Sequence, residues 1–283
     1  MLTPKIYLVA HVGVQSGANL IRHFLDHYYR LGVQNFLVIL HSDKNEHILR
    51  DSVLSILRHR NIVPVMEVNT YDYRLRQERV NFVLDQYVTD DDWVVHADTD
   101  EFHEYPDGLL NLVKRCETSG HTFVRGTLVD MVSASGELKE ITRWPSIWEQ
   151  FPKSSDLTGK IGRGWTKKIC CAKGGHRAGD GGTHSVDFGL GRLGNFEACL
   201  SHPMCHPDEL RVFHFKWDST VLTRLRSREK VYKTLGLEVA NESSRILKYL
   251  ENSCIEYKDI VPPKLIFENP VYPGHEDSNR AEN

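Results

Sequence analysis

The sequence predicts an α/β protein with a mostly parallel central sheet, helices on both of its faces, and a mixed-sheet C-terminal extension. Three observations predict this. In the first half, short runs of strand-forming apolar residues alternate with stretches of three- and four-residue apolar spacing. The runs are apolar throughout, as strands buried on both faces are. Polar loops at 11–17, 41–45 and 98–104 follow three of the runs, at the strand ends where ligands of such sheets bind.

Residues 6–10 give the first strand, which ends in His11-Val12-Gly13, where a loop begins. Ser16 is the expected N-cap of a helix carrying Leu20, Phe24, Tyr28 and Leu31, closed by Gly32. Residues 36–40 form the second strand, followed by polar His41-Ser42-Asp43 and a helix through Ile48, Val53, Ile56 and Leu57. Residues 62–68 form a third strand, and a helix through Leu75, Phe82, Val83 and Tyr87 comes next. The fourth strand, residues 93–97, runs straight into Asp98. After Val129 the pattern loosens into an aromatic stretch with Trp144 and Trp148, then a segment with eight glycines among residues 173–194. A strand is expected at 211–215 and helices at about 219–235 and 243–250. The polar tail from Glu276 is expected to fray.

Composition narrows the function. A chain of 283 residues, 40% hydrophobic and 26% charged, can bury a large core. Its net charge of -3 creates no field that recruits nucleic acid, so phosphate-binding charge must be local. Of six cysteines only Cys170-Cys171 are adjacent, which is neither zinc-knuckle nor redox spacing, and reduced thiols are expected. The apolar stretch before His11 is too short for a signal sequence, and no eighteen-residue apolar run follows. A cytoplasmic protein, at most peripheral to a membrane, is therefore expected.

The strongest chemical signal is the ejection of Asp98, Asp100 and Glu101 from a buried strand. Three carboxylates this close repel one another unless a cation neutralises them, and a hard ion such as Mn²⁺ or Mg²⁺ suits oxygen ligands. On an extended chain Asp98 and Asp100 face one ion while Thr99 points away. A solvated acidic turn is the plain alternative.

The segment Asp98-Thr99-Asp100-Glu101-Phe102 resembles the Asp-x-Asp-Glu-Phe signature of family-2-like glycosyltransferases of the GT-A fold. Residues 20–33, a His-Tyr helix leading to Leu-Gly-Val and then a strand, match the same group. The likeness covers residues 5–105 and continues more faintly to about 230. It implies a GT-A-type nucleotide-diphospho-sugar transferase that is metal-dependent and inverting. The implied donor is a nucleoside-diphosphate sugar, UDP-sugar favoured, and the acceptor a glycan or glycoconjugate hydroxyl, as in polysaccharide biosynthesis. Residues 1–130 would be the Rossmann-like half binding the nucleotide sugar, 131–262 the acceptor-binding half, and 263–283 a tail.

Carried over by the resemblance, Asp98 lies nearest the ribose and the ion, Asp100 ligates the metal, and Asp43 meets the nucleobase or ribose. Arg76 and Arg79 approach the diphosphate from the preceding helix, and a solvated helix face is the alternative for each. His11 belongs to the first loop, which lacks the Asn-Glu pair that family members commonly carry, and is its candidate nucleotide contact. His214 and Lys216, two apart on a strand, face one side: the imidazole completes the metal shell and the ammonium offsets diphosphate charge. Packing of His214 between Phe213 and Phe215 is the alternative. Residues 174–187 would form a mobile loop over the donor, with Asp180, Asp187 or His184 as base. Trp144 and Trp148 are candidates to stack on an acceptor sugar, and core packing is expected of at least one of them. Two other functions stay open. A sugar nucleotidyltransferase would use the same sheet, although the first loop offers only Gly13 and Gly17. A non-catalytic nucleotide-sugar- or carbohydrate-binding relative would show no turnover.

Overall fold

A computed structural model describes residues 4–69, 73–234, 239–251, 254–256 and 259–260. Four strands, β1 (Ile6–Gly13), β2 (Asn35–Ser42), β3 (Val65–Val68) and β4 (Trp93–His96), lie parallel in the order β3-β2-β1-β4. Between them run α1 (Val14–Gly17), α2 (Ile21–Arg30), α3 (His47–His59) and α4 (Tyr73–Tyr87). The extension contains β5 (Glu101–His103), α5 (Leu109–Ser119), β6 (Phe123–Val132), α6 (Ile147–Gln150), β7 (Lys153–Ser155), β8 (Lys167–Lys173), α7 (Gly191–Ser201), β9 (Leu210–His214), α8 (Val221–Thr234) and α9 (Val239–Tyr249). It continues the sheet as β8-β6-β9-β5. Here β8 runs antiparallel to both β4 and β6, β6 pairs β9 in parallel, and β7 attaches to β6. The α/β class with a mixed extension is thus the one the sequence predicts.

Side-chain alternation explains the layering. Leu8, Ala10 and Val12 of β1, Val38 and Leu40 of β2, and Trp93 and Val95 of β4 point to one face. There they pack on Phe24 of α2, Leu57 of α3 and Leu112 of α5. Val9, Ile39 and Val94 point the other way, onto Val80, Val83 and Leu84 of α4. Because both faces are covered, the strands carry no polar alternation. A separate cluster joins Trp217, Val221 and Leu225 to Ile246 and Leu250, docking α8 against α9.

Close packing fixes the middle of the extension at Gly126, where an added Cβ would stand 2.5 Å from Cys170 Sγ and 2.9 Å from the Leu210 carbonyl oxygen. Any side chain there would push β8 and β9 away from β6. All six cysteines are free. No helix among the described residues is long and apolar enough to cross a membrane.

Three local expectations are corrected. Ser16 lies within α1, donating its hydroxyl to the Gly13 carbonyl, and α2 begins after Leu20 without a side-chain cap. The fourth strand stops at His96, and residues 98–101 make a turn in which the Glu101 amide donates to the Asp98 carbonyl. The glycine-rich segment is a packed structure, with Ala178, Asp180, Ser185 and Val186 buried and α7 at its end. As expected of one of the two tryptophans, Trp148 packs on Phe102, Phe213 and Phe215, whereas Trp144 is exposed and lies outside the cleft described below. The polar tail expected from Glu276 lies outside the described residues.

Candidate active site

A cleft of about 1130 Å³ opens beyond the carboxyl ends of the parallel strands. One wall comes from the loops after β1, β2 and β4, and the other from the 162–165 turn, α7, α8 and α9. Eight of the eleven residues singled out in the sequence line it: His11, Asp43, Arg76, Asp98, Asp100, His184, His214 and Lys216.

At its base the Asp98 to Glu101 turn meets the end of β9. The antiparallel register sets Glu101 opposite His214, and the Phe215 amide donates to the Asp100 carbonyl at 2.7 Å. His214 Nε2 then lies 3.5 Å from Asp100 Oδ2. Its Nδ1 is 2.8 Å from Asp130 Oδ1, and Asp130 also accepts from the Thr158 amide and hydroxyl at 2.6 and 2.8 Å. Burial opposes charge on this imidazole, but Asp100 and Asp130 outweigh it and push His214 up to about 9. Burial likewise opposes the Asp100 carboxylate, and His214 overcomes it, holding its pKa well below the usual carboxylate range. The spot demands positive charge.

Asp98 has different partners. It pairs with Arg76, and Lys168 Nζ stands 3.7 Å away. Burial disfavours its charge, yet Arg76 and Lys168 outweigh that and lower its pKa. The expected grouping of Asp98, Asp100 and His214 around one ion does not form. Among the described residues no three His, Cys, Asp or Glu side chains gather in a metal-holding cluster. The strand alternation that would align Asp98 with Asp100 is lost because these residues sit in a turn.

Three other expected residues also fall elsewhere. Asp187 is exposed and accepts from the Gly189 amide and the Asn195 side chain, tying the loop to α7. Asp180 is buried, its oxygens taken by the Gly182 and His184 amides and the Ser185 hydroxyl. Arg79 turns to Glu67 at 2.6 Å, away from the cleft. The same Glu67 stands 3.3 Å from His11, whose ring stacks on His41 at 5.9 Å. Of the three base candidates only His184 lines the cleft. Burial lowers its pKa to about 4, and its Nδ1 lies 2.6 Å from the Lys167 carbonyl oxygen, which holds a proton there and leaves Nε2 as acceptor.

Sequence reasoning missed Lys168, Asp130 and Glu242. Lys168 is 2% exposed on β8 and reaches Glu101 at 3.0 Å. Its charge is opposed by burial and restored by Glu101 and Asp98, so its pKa rises. A lysine opening the apolar run Ile169-Cys170-Cys171-Ala172, like an aspartate inside β6, was the available signal, since a buried charge requires a partner. Glu242, on α9, lies 3.9 Å from Lys216 and 3.6 Å from Arg228.

No family model and no curated protein matches the sequence. Among solved structures the chain is similar to residues 1–349 of S. aureus TarS, at 10% identity over 88% of this chain and 72% of that one, with a TM-score of 0.37. It covers 43% of a longer S. aureus TarS structure, at 11% identity and the same TM-score. It is also similar to a 4-diphosphocytidyl-2C-methyl-D-erythritol synthase, at 14% identity over 62% of this chain and 78% of that one, with a TM-score of 0.34. What the chain does is therefore read from its own cleft.

Proposed function

We propose that the chain is a metal-dependent glycosyltransferase that moves a sugar from a nucleoside-diphosphate donor, UDP-sugar favoured, to a glycan hydroxyl with inversion. The observation that carries this reading is the Asp100 and His214 pair, 3.5 Å apart in the cleft and backed by Asp130. A carboxylate oxygen and an imidazole nitrogen at that separation suit one Mn²⁺ or Mg²⁺ ion. The carboxylate behind the histidine is the usual support of a metal-bound imidazole. Two protein ligands suffice where phosphate oxygens and water complete the shell. A bound ion would replace the proton that His214 otherwise holds. When bound, it supplies charge that neutralises the diphosphate as it departs.

The chain's own residues do the rest. His11 and Asp43 line the end of the cleft assigned to the nucleoside. Lys216 offsets charge on the leaving diphosphate. Asp98 orients Arg76 and Lys168 and is not a ligand in this reading. Asp180 and Asp187 are off the cleft, which leaves His184, with its Nε2 as acceptor, and Glu242, on the facing wall between Lys216 and Arg228, and we assign the proton to Glu242. The acceptor oxygen bonds to the anomeric carbon, the bond to the phosphate oxygen breaks with its electron pair leaving on the diphosphate, and the hydroxyl proton passes to Glu242.

The test is a transfer assay over a panel of UDP-hexoses and glycan acceptors with Mn²⁺. Glu242→Gln is expected to lower kcat by ~10²–10⁴-fold while leaving UDP affinity within about threefold. Wild-type turnover in Glu242→Gln removes Glu242 from the reaction, and the absence of any turnover in the native protein argues against the enzyme.

A further inference from the structure

The cleft wall built by the 162–165 turn, α7, α8 and α9 is strongly basic. Among the described residues Arg163, Arg192, Lys216, Arg224, Arg228 and Arg245 line it, against the carboxylate of Glu242. Lys216 and Arg228 flank Glu242, and Arg245 donates to the Gly162 carbonyl at 2.6 and 2.9 Å, holding the turn in place. Arg163 and Arg192 have no carboxylate within ion-pair reach among the described residues. Among the described residues this wall therefore carries more positive than negative charge.

Both side chains are exposed, Arg163 on a constrained turn and Arg192 on an aromatic stack. Arg163 has φ +53°, a left-handed conformation that is costly for any residue with a Cβ. Its neighbours explain the turn. A Cβ on Gly162 would stand 2.8 Å from the Thr158 carbonyl oxygen, and one on Gly164 3.0 Å from the Glu242 carboxylate. The two glycines press on their surroundings, and the strained arginine between them presents its side chain to the cleft. Arg192 lies over the indole of Trp165 with 4.7 Å to the ring centroid, and Trp165 is stacked on Phe196 at 4.1 Å and meets the edge of His184 at 5.5 Å. Layering on an aromatic face fixes a guanidinium that would otherwise sample many rotamers.

We propose that this lobe seats a negatively charged acceptor, a glycan bearing phosphate, sulfate or carboxylate groups, whose oxyanions are met by Arg163 and Arg192 while its reacting hydroxyl lies beside Glu242. The inference rests on the transferase reading for its role, but the anion site stands on the wall alone. Planar guanidinium forks match oxyanions in two parallel hydrogen bonds. A neutral glycan offers no charge to match this excess.

The experiment is isothermal titration of the full chain with dextran and with dextran sulfate of equal length, at physiological salt and without donor. Dextran sulfate is expected to bind at least ~10-fold more tightly than dextran. Combining Arg163→Gly with Arg192→Gln is expected to remove ~10-fold of that affinity. Arg163→Gly suits the left-handed backbone, so the melting temperature should not fall and misfolding does not confuse the result. Binding should persist with UDP and Mn²⁺ present. Equal affinities for the two polymers, undiminished binding by the double variant, or displacement by UDP with Mn²⁺ would each overturn the proposal. The two readings also fail separately. Dextran sulfate bound through Arg163, with no metal-dependent UDP binding, keeps the anion site and removes the transferase.

Discussion

At the scale of single residues, chemistry was legible where a side chain's charge is costly without a partner. Asp100, His214 and Lys216 stood out in the sequence because each is charged or titratable beside an apolar run, and all three line the cleft. Asp180 and Asp187 lie off the cleft, where, as is common for aspartates in glycine-rich loops, they accept from local backbone amides. Buried histidines make a second residue-scale claim. Burial lowers His27 to about 4 and His96 to about 3, so the folded protein keeps both neutral where the unfolded chain, near 6.5, binds protons. Between pH 6.5 and about 4 the unfolded state therefore binds more protons, and stability falls as pH drops. Each histidine contributes up to ~1.4 kcal/mol per pH unit, or roughly 4 kcal/mol for the pair at pH 5. Urea unfolding at pH 7 and pH 5 measures this, and equal stabilities would contradict the buried neutral assignment.

At the scale of elements, the parallel strands and the helices on both faces could be read because each strand is a continuous apolar run. The break after β4 could not, since a turn at 98–101 and a continued strand share the same short sequence and are decided by pairing with β9. β8 also braces this turn. Through Lys168 it reaches the Glu101 carboxylate at 3.0 Å and Asp98 at 3.7 Å. Replacing one partner of such a buried set strands the others. Lys168→Met should therefore cost ~3–5 kcal/mol in urea unfolding. Adding Glu101→Gln should restore part of the loss, because one stranded charge is removed. A loss below ~1 kcal/mol would mean that β8 does not hold the turn through its lysine.

At the scale of the whole molecule, the sheet order places loops distant in sequence around one cleft: the ends of β1, β2 and β4 on one side, α7 to α9 on the other. The first wall was legible, because strand ends and their polar loops are local patterns. The second was not, since Arg163, Trp165 and Glu242 acquire a common surface only through the packing of α8 on α9 and of the 162–165 turn against them. The central claim is that Asp100 and His214 hold a cation that bridges to a nucleoside diphosphate, and a melting experiment with UDP, with and without Mn²⁺, tests it directly. At UDP about 100-fold above its Kd, the melting temperature should rise by roughly 5 °C only when Mn²⁺ is present. That rise should vanish in Asp100→Asn. An equal rise without metal, or an undiminished one in Asp100→Asn, would contradict the account.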